Sequence, residues 1–234
     1  LETQPEFTMD WVKAKSIADE VVKKYPGTTA ADDAYNLTVK IAIPDIRMVT
    51  EETLIPDQPA LALVRYKNAS KIHFRMIPLT EAEWNQYQRL GDKKSWEVLT
   101  KLKPEKSWSV DLPDPGDYRM HTSEVAIPAT SSGNYLLLAD IRGDFSTTRN
   151  FLVANFIQVN SLMCIRNNQK QYHIVNRSTG FPVAGAEVTV TFTDRDNKPQ
   201  PGAEPVVVKL KTNQAGMFEA PVADESKNQK ADIV

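Results

Sequence analysis

The chain has 234 residues, 41% of them hydrophobic, with 28 basic and 30 acidic residues and a formal net charge of −2. That apolar fraction supports a packed core and excludes a disordered tail, and the near-balance of charge supplies no global field toward nucleic acid or an anionic membrane surface. No basic stripe interleaved with aromatics supports nucleic-acid binding, and no apolar run approaches the roughly 20 residues a spanning helix needs, so neither nucleic acid nor direct membrane insertion is expected.

Residues 9–24 place Trp11, Ala14, Ile17, Ala18, Val21 and Val22 at helical spacing before Tyr25-Pro26-Gly27 stops the pattern. Thr28 or Thr29 can cap a second helix in which Ala30, Ala31, Ala34, Leu37 and Ile41 form one face. Asp32 and Asp33 are favourably placed in its first turn, and Pro44 ends it. Small residues facing one another across a short turn are similar to the helical hairpin at the end of a tetratricopeptide array. A single such hairpin needs neighbours or the following domain to bury its face.

From Ile46 the periodicity becomes that of strands, over Ile46–Leu54, Ala60–Tyr66 and Lys71–Leu79, with Pro56-Asp57-Gln58-Pro59 and Lys67-Asn68-Ala69-Ser70 as turns. Thr80-Glu81-Ala82-Glu83 is a capping box ahead of Trp84, Tyr87 and Leu90, and Ser95–Lys103 reads as a second short helix; a helical insertion near 80–103 therefore interrupts the strands. Trp108, Val110 and Leu112 then alternate with Ser107, Ser109 and Asp111, and Pro113-Asp114-Pro115-Gly116 forces a turn. A second strand ends with Val125 and Ile127 at Pro128, and Tyr135–Ala139 is an almost wholly apolar run, as expected of a sandwich-core strand. Arg149–Val159 closes a module of about seven strands, enough for a sandwich.

A second unit begins near Asn160. Gln171–Val175 reads as a strand and Ser178–Phe181 as a turn. Ala186–Phe192 alternates Val188, Val190 and Phe192 with Glu187, Thr189 and Thr191, and Lys209–Asn213 leads through Gly216 to Phe218. Residues 225–234 are polar and expected to fray. The chain opens at Leu1 and stops at Val234 in mid-pattern, which suggests a segment of a longer polypeptide.

Three pieces, in order, resemble the α2-macroglobulin-like proteins of bacterial cell envelopes. The first is Pro59–Asn68 followed by Lys71–Arg75, similar to the paired strands that open a macroglobulin domain. The second is Asp111–Tyr118 with Gly133-Asn134-Tyr135-Leu136-Leu137, similar to the family's extended segment followed by glycine, any residue, tyrosine and an apolar residue. The third is Thr179–Val190, which resembles the start of a following macroglobulin domain and is shared with transthyretin-like and other immunoglobulin-like modules. The hairpin fits the resemblance, since envelope forms of this family can carry tetratricopeptide-like helices ahead of their sandwich domains. The resemblance implies a mainly β chain of immunoglobulin-like, macroglobulin-type β-sandwiches. Its expected parts are a helical hairpin over 1–44, a sandwich with a helical insertion over 45–159, and a second, truncated sandwich over 160–234. It further implies a framework for a protease trap, with proteases as partners of the full-length parent, neighbouring domains of the same chain as further partners, and a periplasmic or cell-surface location. The family's Cys-Gly-Glu-Gln thioester is not matched, Cys164 being followed by Ile165-Arg166-Asn167, and no bait segment is identifiable.

Cys164 is the sole cysteine, which excludes an internal disulfide and argues against a cysteine-based metal site; in the apolar run Leu162–Ile165 a buried, inert thiol is expected. His73, His121 and His173 lie far apart in predicted strands without acidic or cysteine partners at ligand spacing, so no metal is expected. No serine sits in a Gly-x-Ser-x-Gly elbow. Asp194-Arg195-Asp196-Asn197 hints at a calcium loop, but Arg195 stands among the would-be ligands and a hairpin turn reads better. Arg142-Gly143-Asp144 is a tripeptide read by some adhesion receptors, and a plain turn accounts for it. Asn36, Asn68 and Asn176 begin glycosylation tripeptides that matter only in a eukaryotic secretory route. Trp11, Trp84, Trp96 and Trp108 raise a sugar-binding platform, although packing of Trp84 and Trp96 onto the sandwich is more economical. No catalytic, cofactor or metal residue is assigned, and a non-enzymatic framework is expected. The alternative is an adhesin or surface scaffold binding protein or glycan through its loops, and a regulatory β-domain attached to an enzyme is a third reading.

Overall fold

The computed structural model describes residues 10–87, 93–147, 151–168, 170–194, 206–221 and 229–233. In chain order the elements are α1 (Asp10–Lys24), α2 (Thr29–Ala42), β1 (Asp45–Thr50), β2 (Thr53–Leu54), β3 (Ala60–Lys67), β4 (Lys71–Leu79), α3 (Glu81–Tyr87), α4 (Lys93–Leu99), β5 (Lys106–Asp111), β6 (His121–Ile127), β7 (Gly133–Asp140), β8 (Leu152–Val159), β9 (Leu162–Arg166), β10 (Gln171–Asn176), β11 (Glu187–Asp194), β12 (Val206–Lys211), β13 (Met217–Glu219) and β14 (Gln229–Ile233). The chain is mainly β and divides into two compact units, 1–160 and 161–234.

The first unit opens with the hairpin. The Thr28 hydroxyl accepts from the Ala31 amide, which settles the cap of α2 on Thr28, and Ala18, Ala31 and Ile41 are buried. Asp19 ties the two helices, accepting from Lys15 Nζ at 2.7 Å and from Thr38 Oγ1 at 3.0 Å. The apolar faces are only partly covered: Ile17 is 62% and Leu37 40% exposed, where the sequence pattern groups both with the buried face.

Behind the hairpin stand two sheets, one ordered β1-β3-β6 and the other β2-β8-β7-β4-β5. Ile46, Met48, Ala62, Val64 and Tyr66 from the first sheet meet Ile72, Phe74, Met76, Leu137 and Ile157 from the second in a common core. Ile46–Leu54, read as one strand, is two. β1 pairs antiparallel with β3, and the chain then crosses so that β2 pairs parallel with β8 in the opposite sheet.

β7 is buried from Tyr135 through Asp140, which explains its unbroken apolar run: it is covered on both faces. Tyr135, Leu137 and Ala139 enter the inter-sheet core, and Leu136 and Leu138 enter a second cluster with Ile77, Leu79, Tyr87 and Leu99. Trp84 and Trp96 pack on that second cluster, and Trp84 meets Phe156 edge-on at 5.4 Å. The insertion is thus a lid over the outer face of the larger sheet. Its entry is the expected capping box, with the Thr80 amide donating to Glu83 Oε2 and the Glu83 amide donating to Thr80 Oγ1. Its second helix is α4 rather than Ser95–Lys103, the chain turning after Leu99. Of the expected strand Arg149–Val159, residues 149–150 lie outside the described residues and β8 begins at Leu152.

In the second unit one sheet is ordered β13-β10-β9 and the other β12-β11-β14. Ile174, Val188, Val190, Phe192, Phe218 and Ala220 form its core. Buried Thr212 fastens the β10–β11 connection: its hydroxyl donates to the Val183 carbonyl at 2.7 Å and accepts from the Ala186 amide at 2.9 Å. Two expectations are corrected here. Within the tail expected to fray, Gln229–Ile233 forms β14 and pairs with β11, whose open edge supplies the backbone partners. Leu162–Arg166 is a strand, β9, every residue of which is exposed, so Cys164 is not buried.

Candidate interaction surface

The turn chemistry between β5 and β6 gathers more ionisable and aromatic groups than the sequence suggests. The Asp114 carboxylate accepts from the Gly116 amide, and Tyr118 takes the left-handed conformation, φ +61°. That turn carries Asp117 back over the strand end, where its Oδ1 lies 2.8 Å from His121 Nε2 and accepts from the Arg119 amide at 3.0 Å. Burial works to raise the Asp117 carboxyl, but the hydrogen bonds from His121 and Arg119, with their charges, outweigh it and hold the group below its ordinary value. His121 therefore has an acidic partner that the sequence reading does not give it; the i, i+4 spacing is visible, but only this loop closes it. The ring of His121 also lies 5.9 Å from that of Tyr66, whose hydroxyl donates to the Pro113 carbonyl at 2.7 Å. Burial, aided by the Asp114 charge, pushes the Tyr66 phenol up. These contacts close the loop over the core and hold His121 as part of the fold.

The other candidates resolve in the same way. His173 Nε2 is 3.0 Å from Asn167 Nδ2, and the His73 ring lies where a Cβ on Gly143 would meet it at 3.0 Å. The three histidines are not brought together, and no group of metal-ligating side chains forms among the described residues. In Arg142-Gly143-Asp144 the guanidinium sits 4.6 Å over the Phe151 ring, Gly143 has φ +79° and Asp144 Oδ1 accepts from the Ser146 amide. The tripeptide is a built turn. Trp108 stacks on Phe74 at 5.0 Å within the core, with Trp84 and Trp96 in the insertion, so these three do not share an exposed platform. Asn68 spans from its turn to the hairpin, donating to the Ile41 carbonyl at 2.9 Å, and Asn176 Oδ1 accepts from the Ser178 and Thr179 amides. Of Asp194-Arg195-Asp196-Asn197, Asp194 ends β11 and the other three lie outside the described residues. Cys164 is exposed, yet its surroundings desolvate the thiol enough to raise it above its ordinary value, the opposite of an activated nucleophile.

What remains unengaged is a face. The outward side chains of β1, β3 and β6 are Arg47, Val49, Leu61, Leu63, Arg65, Thr122, Glu124 and Ala126, all exposed. Val49, Leu61 and Leu63 are 61%, 56% and 41% exposed, large apolar side chains on a sheet whose opposite face carries the buried Ile46, Met48, Ala62, Val64, Tyr66, Val125 and Ile127. No helix among the described residues is long and apolar enough to cross a membrane.

No protein-family model and no curated protein matches this sequence. Solved structures do. The chain is similar in structure to bacterial α2-macroglobulin. Native α2-macroglobulin from Escherichia coli, in a structure spanning domains MG0-NIE-MG1, aligns with a TM-score of 0.44 and 12% identity over 80% of this chain and 63% of that one. Trypsin-activated α2-macroglobulin from the same organism aligns with a TM-score of 0.29 and 11% identity over 82% of this chain and 14% of that one. The CARDB domain of a Pyrococcus furiosus protein, in complex with di-metal ions, aligns with a TM-score of 0.29 and 12% identity over 50% of this chain and 88% of that one. The chain thus spans less than two thirds of either macroglobulin structure.

Proposed function

We propose that this chain is a non-catalytic framework segment of an α2-macroglobulin-like cell-envelope protein that inhibits proteases. The observation that carries the reading is that the polar groups most suggestive of chemistry are consumed in holding the fold. Asp117 and His121 close a loop, Asn68 clasps the hairpin to the sandwich, Thr212 fastens a connection and Asp144 makes a turn. The order of hairpin, lidded sandwich and second β unit supports it, as do the ordered sequence motifs. In this reading the segment positions other domains of its parent, and the parent's trapping chemistry is carried elsewhere. The test is incubation of the full-length parent with a panel of endoproteases, followed by size-exclusion chromatography. Cleavage of the parent and co-elution of protease with it are expected; a parent that is neither cut by nor retains any protease overturns the reading.

A surface scaffold that binds protein is the second reading, and the exposed face of β1, β3 and β6 favours it. Adhesion through Arg142-Gly143-Asp144 has less support, because the Arg142 guanidinium lies over the Phe151 ring and the Asp144 carboxylate accepts from the Ser146 amide. Unchanged receptor binding on Asp144→Ala substitution removes that version.

A further inference from the structure

We infer that the outer face of the β1-β3-β6 sheet docks a helix of a partner protein whose apolar stripe runs into acidic side chains. Strand register sets the layout. Val49 is opposite Leu63 and Arg47 is opposite Arg65, while Leu63 is opposite Glu124 and Leu61 is opposite Ala126. The face therefore has an end made by Leu61, Leu63, Val49 and Ala126, with Glu124 at its β6 edge, and one row further along β3 two arginines stand side by side.

Like charges directly opposite each other weaken a sheet, so the arginine pair has a cost within this chain. Its intramolecular neutralisation is slight. Arg47 reaches Asp45 only at 3.7 Å, with 65% of the arginine side chain exposed, and Arg65 has no ion pair among the described residues. Glu124 lies on the neighbouring strand opposite Leu63 rather than opposite either arginine. An occupant that places a carboxylate between Arg47 and Arg65 relieves this repulsion, and carboxylates suit the planar fork of each guanidinium.

The class of occupant follows from what the face offers. It presents side chains only, so an extended segment laid across it would leave backbone groups desolvated and unpaired, whereas a helix satisfies its own. The spacing also fits. Alternate residues along β3 advance by about 6.6–6.8 Å and four residues of a helix by about 6 Å, so apolar side chains at i and i+4 meet Leu61 and Leu63 and an acid near i+8 meets Arg65.

The inference does not depend on the protease-trap reading. Its test uses the 234-residue chain, isotopically labelled, with a designed amphipathic helix whose leucine stripe ends in glutamates, and a twin with lysines in their place. Fluorescence anisotropy should show tighter binding of the glutamate peptide, with amide shifts confined to β1, β3 and β6. Charge reversal at Arg47→Glu and Arg65→Glu should weaken it by up to about fivefold per arginine, the scale of an exposed ion pair, and should favour the lysine twin. If the double reversal disturbs folding, Arg65→Gln alone carries the comparison. No binding, equal binding of the twins, or shifts outside this face overturns the inference. So does self-association removed by the same reversals, which would give the face to a second copy of the chain.

Discussion

Gly216 shows how closely single residues are constrained here. With φ +70° it lies in the left-handed region, and a Cβ built on it would stand 2.6 Å from the Ile174 carbonyl oxygen and 2.9 Å from Pro182 Cβ. Gly216→Ala should destabilise the second unit by about 2–4 kcal/mol, combining backbone strain with a contact to main chain that has little freedom to yield. The urea midpoint should fall with an unchanged slope; a midpoint like that of the parent sequence would show that the β10–β13 approach can relax. Asp117 supplies a pH prediction. Its carboxyl is depressed in the folded chain, so its contribution is present above the unfolded carboxylate value near 4 and is lost as pH falls through the lower folded value. Thermal melts of the parent and Asp117→Asn should differ at neutral pH and converge in acid, and a gap that persists at the acid end would show that charge is not its source.

At the level of elements, attachment rests on a few contacts. Asn68, with φ +54°, turns its amide to the Ile41 and Ile43 carbonyls at the end of α2. Asn68→Gly keeps the backbone conformation and removes the clasp, so it should cost about 1 kcal/mol and raise hydrogen exchange in the last turn of α2. Exchange rising equally throughout the sandwich would refute that local role. Trp84→Ala should loosen the helical lid by about 2–3 kcal/mol through loss of the Phe156 and cluster contacts, seen as lost near-ultraviolet dichroism, while the inter-sheet core stays protected. Much of this level was legible in the sequence. The capping box fixed the start of the lid, the alternation around Trp108 fixed β5, and the unbroken run of β7 pointed to burial on both faces. β9 escaped because Leu162-Met163-Cys164-Ile165 is apolar without alternation, so no period separates strand from buried segment. β14 escaped because what makes it a strand is pairing with β11 rather than its own polar residues. The docking face escaped for a related reason. Ala60–Val64 is apolar at every position, which hides which side faces out, and only the register with β1 brings Arg47 opposite Arg65.

Across the whole molecule the two units have separate cores, and the hairpin belongs with the first. Residues 1–160 expressed alone should therefore give a dispersed amide spectrum and a cooperative melt, and a collapsed spectrum would show that the second unit is needed for folding. The strand crossing near Glu51 has a mechanical consequence. β1 ends in one sheet at Thr50, which accepts a hydrogen bond from Asn155 at 2.9 Å, and β2 continues in the other beside β8. A tug on the hairpin along the line of β1 meets antiparallel ladder bonds that lie across the pull, so they are strained together instead of parting one by one. Under tension β1 is the clutch of the first unit: it holds until its ladder with β3 gives way as a whole.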